Sequence, residues 1–127
     1  MQRVIFYLTV LISTTIMAQD SANEAAEQTI KTFFEGFHKG DTTMMKSVMM
    51  DKVVMQTIFK NKEGKDVLVT DEPGKLIDAI ANRPADQKWE ERILDYSVQV
   101  DGNMANVWTP YEFWFNGNFS HCGVNSF

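Results

Sequence analysis

The sequence is poor in the residues that hold metals and disulfides. It has one cysteine and two histidines among its 127 residues. A single cysteine excludes an internal disulfide, and Cys122, His38 and His121 lack the close spacing of a metal site. The sequence also has no glycine-rich phosphate loop and no nucleophile elbow. We therefore expect no metal and no cofactor, and nothing in these patterns identifies an enzyme.

Basic residues are in the minority as well. The chain has 12 Lys and Arg against 17 Asp and Glu, which gives a net charge of −5 at pH 7. Proteins that bind nucleic acids neutralise the phosphates with clustered Lys and Arg. Because no such cluster is visible, we do not expect nucleic acid as a partner.

The N-terminus carries the longest apolar run. Arg3 precedes residues 4–17 (VIFYLTVLISTTIM), and Ala18 is a small residue suited to the last position before a cleavage site. This pattern is typical of a secretory signal peptide. An uncleaved anchor is the alternative, although the run is shorter than the ~20 residues of a membrane span. We predict a signal peptide over residues 1–18, a secreted or periplasmic protein with one domain over 19–127, and no membrane contact after cleavage.

Helical patterns dominate the first part of this domain. After candidate N-cap residues at 20–23, apolar side chains recur at helical spacing: Ile30, Phe33, Phe34 and Phe37. Gly40 is predicted to end this helix. A second, short helix is predicted over 42–50, strands over 52–59 and 66–70, and a third helix between Pro73 and Pro84.

The last part of the chain reads as three long strands. They cover residues 92–100, 104–115 and 118–127, and they are separated by Asp101-Gly102-Asn103 and by Asn116-Gly117. Asn-Gly and Asp-Gly favour tight hairpin turns because these residues tolerate positive φ. The resulting order, α-α-β-β-α-β-β-β, predicts an α+β fold with an antiparallel sheet.

A two-residue turn at Asn116-Gly117 predicts the register of the last hairpin. Phe115 is then opposite Asn118, and Glu112 is opposite His121. One face of the hairpin would carry aromatic side chains around a carboxylate, an imidazole and an amide, which suits a small-molecule pocket. We therefore predict these ligand-pocket residues: Trp108, Glu112, Trp114, Phe119, His121 and Asn125.

The predicted Glu112–His121 pair has three interpretations. It is a cross-strand ion pair on a half-exposed sheet, part of a binding pocket, or an acid–base unit of an enzyme. Pro110 leaves the direction of each face open, because proline marks an edge or a bulge. Cys122 falls in an apolar strand, which predicts a buried, inert thiol.

Several segments together resemble the nuclear transport factor 2-like superfamily, and in particular its secreted bacterial lumazine-binding-like group. These segments are FFEGFHKGD at 33–41, QTIF at 56–59, IANRPA at 80–85 and the whole of 88–127. The resemblance covers all of 19–127. It implies a cone, in which a curved antiparallel sheet wraps around helices, and a homodimer formed through the sheet. The superfamily pattern continues with one more strand, so we expect that the domain is truncated at its C-terminus.

The resemblance leaves the function open, because the superfamily holds both enzymes and binding proteins. We favour a secreted or periplasmic module that binds a small aromatic or apolar ligand without transforming it. The alternatives are an isomerase, dehydratase or cyclase that uses Glu112 and His121, and a pure interaction domain whose interior is filled by side chains.

Overall fold

The computed structural model describes the backbone of residues 2–127 and the side chains of residues 20–127. The predicted α+β class is confirmed, with antiparallel pairing throughout the described strands. The elements are α1 (Gln2–Lys39), α2 (Thr42–Ser47), β1 (Met55–Lys60), β2 (Asp66–Asp71), α3 (Pro73–Ala81), β3 (Trp89–Ile93), β4 (Ser97–Asp101), β5 (Met104–Phe115) and β6 (Asn118–Ser126). The chain divides into two compact units, of which one comprises Met1–Lys31 with Trp89–Phe127 and the other Thr32–Lys88.

Helix α1 begins at Gln2, so the N-cap predicted at residues 20–23 is wrong. No glycine or proline precedes Gly36 in the sequence, and a helix that is already propagating is not ended by a single Asp or Asn. The helix ends at Lys39, and the following Gly40 has a φ of 72°, as the sequence predicts. The predicted signal peptide, residues 1–18, lies outside the residues whose side chains are described.

The unit Thr32–Lys88 has an apolar core built from its three helical segments. Its buried side chains are Phe34, Phe37, Met45, Ile77 and Ile80. Gly36 allows α2 to approach closely, because a Cβ at this position would lie 2.8 Å from Cγ of Met45. Asp41 caps α2 by accepting a hydrogen bond from the backbone N–H of Met44 at 2.9 Å.

Arg83 ties the end of α1 to the segment after α3. Its guanidinium donates to the carbonyl oxygens of Phe37 at 3.2 Å and of His38 at 3.0 Å. Those carbonyls belong to the last turn of a helix, where intrahelical donors are lacking. Strands β1 and β2 of the same unit form a two-stranded sheet.

The other unit contains a sheet centred on the long strand β5. Strands β3 and β4 pair with consecutive parts of one edge of β5, and β6 pairs with the other edge. The prediction of one strand over 92–100 is therefore wrong, because two strands occur there. Between β3 and β4 there is a bulge, because the three residues 94–96 lie opposite only two residues of β5, Thr109 and Pro110. Within this bulge the N–H of Leu94 donates a hydrogen bond to the carbonyl oxygen of Pro110 at 2.8 Å. This bulge lies on the partner strand, so β5 keeps its alternation through Pro110.

Both predicted hairpin turns are confirmed. Asn116 and Gly117 have φ values of 49° and 77°, and they join β5 to β6. Asp101 pairs with Met104, and Gly102 between them has a φ of 58°. The local preference for positive φ was therefore a sufficient signal for both turns.

Candidate functional site

Alternate residues of β5 point to opposite faces of the sheet. We call one side the Glu91 face. By register it carries the side chains of Glu91, Val107, Thr109, Tyr111, Phe113, His121 and Asn125. We call the other side the Trp114 face. It carries those of Arg92, Trp108, Glu112, Trp114, Phe119 and Cys122.

A bulge at Ser120 changes the predicted register of β6. Phe115 pairs with Asn118 and Trp114 with Phe119, as predicted, but Phe113 then pairs with His121 and Glu112 with Cys122. Ser120 is the extra residue, and everything after it changes face. The predicted pairing of Glu112 with His121 is therefore wrong.

The bulge divides the predicted pocket residues between the two faces. Trp108, Glu112, Trp114 and Phe119 lie on the Trp114 face, whereas His121 and Asn125 lie on the Glu91 face. Cys122 is exposed, so the prediction of a buried thiol is also wrong. The turn was readable from the sequence, but Ser120 carries no local signal that distinguishes a bulged residue from a paired one.

A short polar contact on the Glu91 face joins the two strands that flank β5. The side-chain amide of Asn125 on β6 donates to Oε1 of Glu91 on β3 at 2.6 Å. Burial raises the pKa of the Glu91 carboxyl, and the hydrogen bond from Asn125 lowers it by a smaller amount. Sequence analysis missed Glu91, because the side to which Glu90 or Glu91 points depends on how β3 pairs with β5, where the partner of Glu91 is Phe113, 22 residues later in the chain.

Tyr111 lies between these groups and crosses towards β6. A Cβ on Gly123, its partner residue, would lie 2.9 Å from the Tyr111 hydroxyl oxygen and 3.1 Å from ring carbons. The glycine therefore makes room for the phenol ring. Burial raises the pKa of the Tyr111 hydroxyl, and the charges of Glu91 and Cys122 raise it further.

Aromatic rings continue the same face towards the Asn116-Gly117 turn. The His121 ring stacks on Phe113 with 5.1 Å between ring centres, and it meets Tyr111 edge-on at 5.9 Å. The hydroxyl of Ser120 lies 3.1 Å from Nδ1 of His121. Tyr111 and Phe113 are half-buried and His121 is exposed, so the rings form an accessible wall beside the half-buried carboxyl of Glu91.

The opposite end of the Glu91 face is closed to solvent. Val107 is 3% exposed and Thr109 is 0% exposed. The hydroxyl of Thr109 is buried, and it has no hydrogen-bond partner in the part of the chain whose side chains the structure describes. A buried hydroxyl without a partner costs about 1–3 kcal/mol, so this oxygen is an exception within an otherwise paired sheet.

Glu112 has a different partner from the one predicted. Nε1 of Trp114 donates to its Oε2 at 3.0 Å. The Arg92 guanidinium lies over the Trp114 ring at 4.1 Å, and Trp114 meets Phe119 edge-on at 5.8 Å. These contacts hold the aromatic side chains of the Trp114 face against one another. They provide Glu112 with a donor but place no imidazole beside it.

The part of the chain that the structure describes lacks two further features, a metal-binding cluster and a membrane-spanning helix. It contains no group of three or more His, Cys, Asp or Glu side chains that could hold a metal ion. None of the helices in this described part is long and apolar enough to span a membrane. The polar groups at the centre of the Glu91 face are the half-buried Glu91 carboxyl, the Asn125 amide and the hydroxyls of Thr109 and Tyr111, beside the aromatic wall.

Comparisons with known proteins identify the family. The model of a family described as "Putative lumazine-binding" matches residues 21–121. A solved structure described as a "putative dehydratase from the NTF2-like family", from Streptomyces avermitilis, is similar with a TM-score of 0.60 and 17% identity. The alignment covers 84% of this chain and 83% of that chain. No curated protein matches the sequence. The chain therefore belongs to the family described as putative lumazine-binding, and its fold is nuclear transport factor 2-like.

Proposed function

We propose that the protein binds a small, flat, partly aromatic molecule on the Glu91 face without transforming it. The observation that carries this proposal is the 2.6 Å hydrogen bond between Asn125 and a half-buried Glu91 carboxyl beside an aromatic wall. A few polar groups at fixed positions among aromatic side chains are the usual composition of a ligand site.

The chemistry of the site favours a ring that carries adjacent N–H donors and carbonyl acceptors. An ionised Glu91 accepts from an N–H group, and a protonated Glu91 donates to a carbonyl. Burial raises the pKa of this carboxyl, which brings the second state closer to neutral pH. Phe113 and His121 offer ring faces for stacking. Lumazine, a pteridine dione, has such an edge, and the name of the family makes it the first probe to use.

Titration of the full chain with lumazine, followed by its fluorescence, tests the proposal. Glu91→Gln should weaken binding by about 10-fold or more, because a hydrogen bond to a group that can carry charge contributes about 1.5–3 kcal/mol. Glu112→Gln is the matched control on the Trp114 face, and we expect it to bind as the wild type does. Equal effects of the two substitutions, or a wild type that does not bind, would overturn the proposal.

An acid–base enzyme is the second candidate. The raised pKa values of Glu91 and Tyr111 favour it, since shifted pKa values occur often at catalytic sites. Glu91 would take the role that the sequence suggested for Glu112 and His121. Chromatography combined with mass spectrometry of the ligand after long incubation separates the two functions, because it also detects an isomer of equal mass: a binding protein returns the ligand unchanged, and an enzyme does not.

We also propose that the protein is exported. The pattern of Arg3, an apolar segment and Ala18 supports this proposal. N-terminal sequencing of protein recovered from outside the cytoplasm should give Gln19 as the first residue. A first residue at Met1 would contradict export by cleavage.

We further propose that two copies pair through the Trp114 face. This face exposes two large aromatic side chains, Trp108 at 49% and Phe119 at 53%, and apolar groups grouped on one sheet face suit contact with a second copy. Phe119→Glu should convert a dimer to a monomer in sedimentation experiments. Ile58→Glu, at an exposed apolar residue of β1, is the matched control and should leave the dimer intact. A wild type that sediments as a monomer would contradict this proposal.

A further inference from the structure

Thr109 is a polar residue at a position that otherwise suits an apolar one. It lies in the middle of β5, with Asn125 as its partner on β6 and the bulge at residues 94–96 on the other edge, and its side chain is 0% exposed. Val107, two residues earlier on the same face, is 3% exposed. Valine has nearly the same shape as threonine but no hydroxyl. The buried hydroxyl of Thr109 therefore adds nothing to packing that valine would not supply.

Among the side chains of residues 20–127, which the structure describes, the Thr109 hydroxyl has no hydrogen-bond partner. A polar group that leaves water without gaining a hydrogen bond opposes folding. Replacement by valine would remove this penalty. The presence of threonine is accounted for if another molecule supplies the missing hydrogen bond.

The position of Thr109 connects it to the Glu91–Asn125 pair. Asn125 is its cross-strand partner in the β5–β6 register, and the Asn125 side chain donates to Glu91 at 2.6 Å. Thr109 thus shares one sheet face with the two polar groups of the proposed site, at the end that is closed to solvent. The aromatic wall of Phe113 and His121 lies at the other, more exposed end.

We propose that Thr109 is a specificity-determining residue, whose hydroxyl donates a hydrogen bond to a ring carbonyl at the buried end of the ligand. The inference rests on the proposed function. Glu91 accepts or donates according to its protonation state, whereas a threonine hydroxyl offers a donor at every pH. The hydroxyl is out of contact with solvent in the unliganded protein, so side chains on this face must change rotamer on binding. Asn125, the cross-strand neighbour, is the residue that we expect to move.

The substitution Thr109→Val tests the proposal because it separates stability from binding. Without ligand, the variant should melt at the same temperature as the wild type or higher, since it loses only an unpaired hydroxyl. Its affinity for lumazine should fall about 3- to 10-fold, the effect of one neutral hydrogen bond. Thr109→Ser, which keeps the hydroxyl, should retain more of the affinity. Thr57→Val, at an exposed residue of β1, is the control and should leave the affinity unchanged.

A second ligand tests which group the hydroxyl recognises. Unsubstituted pteridine has the ring system of lumazine without its carbonyls. The wild type should prefer lumazine, and Thr109→Val should reduce the ratio of the two affinities.

The outcomes separate this inference from the proposed function. If Glu91→Gln weakens lumazine binding and Thr109→Val does not, the proposed function stands and the role of Thr109 is overturned. A lower melting temperature of unliganded Thr109→Val would also overturn it, because the hydroxyl would then have a partner in the free protein. If the wild type binds no lumazine, both are overturned.

Discussion

Glu91 and Glu112 are the same kind of residue on neighbouring strands, but they lie in opposite surroundings. Glu91 is half-buried on one face and accepts a hydrogen bond from the Asn125 amide. Glu112, on the other face, accepts one from the Trp114 indole. The register between the strands decides which face of the sheet each of the two carboxyl groups occupies. The Glu91 carboxyl has a raised pKa, so its protonation is coupled to folding.

The stability of the protein should depend on pH through Glu91. Its pKa in the folded state is above the ordinary value of 4.5, so between the two values the folded state holds a proton that the unfolded state has released. The contribution of Glu91 to stability is therefore complete below pH 4.5 and is lost as pH rises through the folded pKa. Glu91→Gln should lack this loss, so its free energy of unfolding should rise relative to the wild type from pH 4 to neutral pH.

Asn125→Ala tests whether Glu91 is the group that causes this pH dependence of stability. Its amide lowers the pKa of Glu91, so its removal should move the loss of stability to higher pH. Urea unfolding at several pH values measures both effects. Parallel stability curves for the wild type and Glu91→Gln would show that Glu91 titrates alike in the folded and unfolded states.

The surroundings of His121 provide a second test at the scale of single residues. Its ring stacks on Phe113 and is edge-on to Tyr111. Phe113→Leu should shift the His121 ring proton resonances in NMR spectra, because the ring current of Phe113 is lost. Glu112→Gln should leave them in place, since Glu112 pairs with Cys122 and points to the other face. The opposite result would restore the pairing of Glu112 with His121.

At the scale of elements, turns and helical stripes were predictable, whereas bulges were not. Asn116-Gly117 and Gly102 take positive φ, a property of these residues themselves. The stripe containing Phe34 and Phe37 is buried as its spacing predicts. Each of these features depends on residues close together in sequence.

The predictions that were wrong concern strand pairing between residues that are far apart in the sequence. Ser120 is bulged in β6, which pairs with β5, and residues 94–96 form a bulge opposite Thr109 and Pro110 of β5. Neither segment contains a residue type that requires an interruption. The candidate site therefore could not be derived in full: His121 and Asn125 were predicted as pocket residues and lie on the Glu91 face, but placing Glu91 and Thr109 beside them required the register.

The β5–β6 pair contains a contact that tests the packing of the Glu91 face. Gly123→Ala would bring a methyl group within 2.9 Å of the Tyr111 hydroxyl and 3.1 Å of its ring. We expect a loss of about 1–3 kcal/mol in the free energy of unfolding, as for other overpacked sites. Gly74→Ala, with no atoms within 4 Å of the new Cβ, is the control and should be neutral or stabilising.

A double-mutant cycle makes the test specific. In a Tyr111→Leu background the alanine at position 123 no longer meets the phenol ring, so it should cost less than in the wild type. An equal cost in both backgrounds would show that Gly123 is needed for its backbone conformation and not for Tyr111.

Across the whole molecule, strand pairing is uneven. Strands β1 and β2 pair only with each other, and they expose Ile58 at 72% and Leu68 at 57%. Strand β5 is paired along both edges. A two-stranded sheet has little independent stability, and weakly packed segments open before the rest.

Hydrogen exchange should show this difference directly. We expect the amides of Met55–Lys60 to exchange at least about tenfold faster than those in the middle of β5, because local opening is enough to expose them. Mass spectrometry of exchanged peptides measures both segments in one sample. Equal protection would mean that β1 and β2 open only when the whole chain unfolds.

The bulge at Ser120 also decides where chemistry can be attached to this protein. Cys122 is the sole cysteine of the sequence, it is exposed, and it lies across from Glu112. A maleimide dye or a biotin linked to it would therefore be separated from Glu91 by the thickness of the sheet. The natural sequence can be immobilised on a sensor surface in one orientation, with its proposed ligand face turned to the flowing solution. The rate at which this thiol reacts would also report whether two Trp114 faces are in contact, because a covered thiol is modified more slowly.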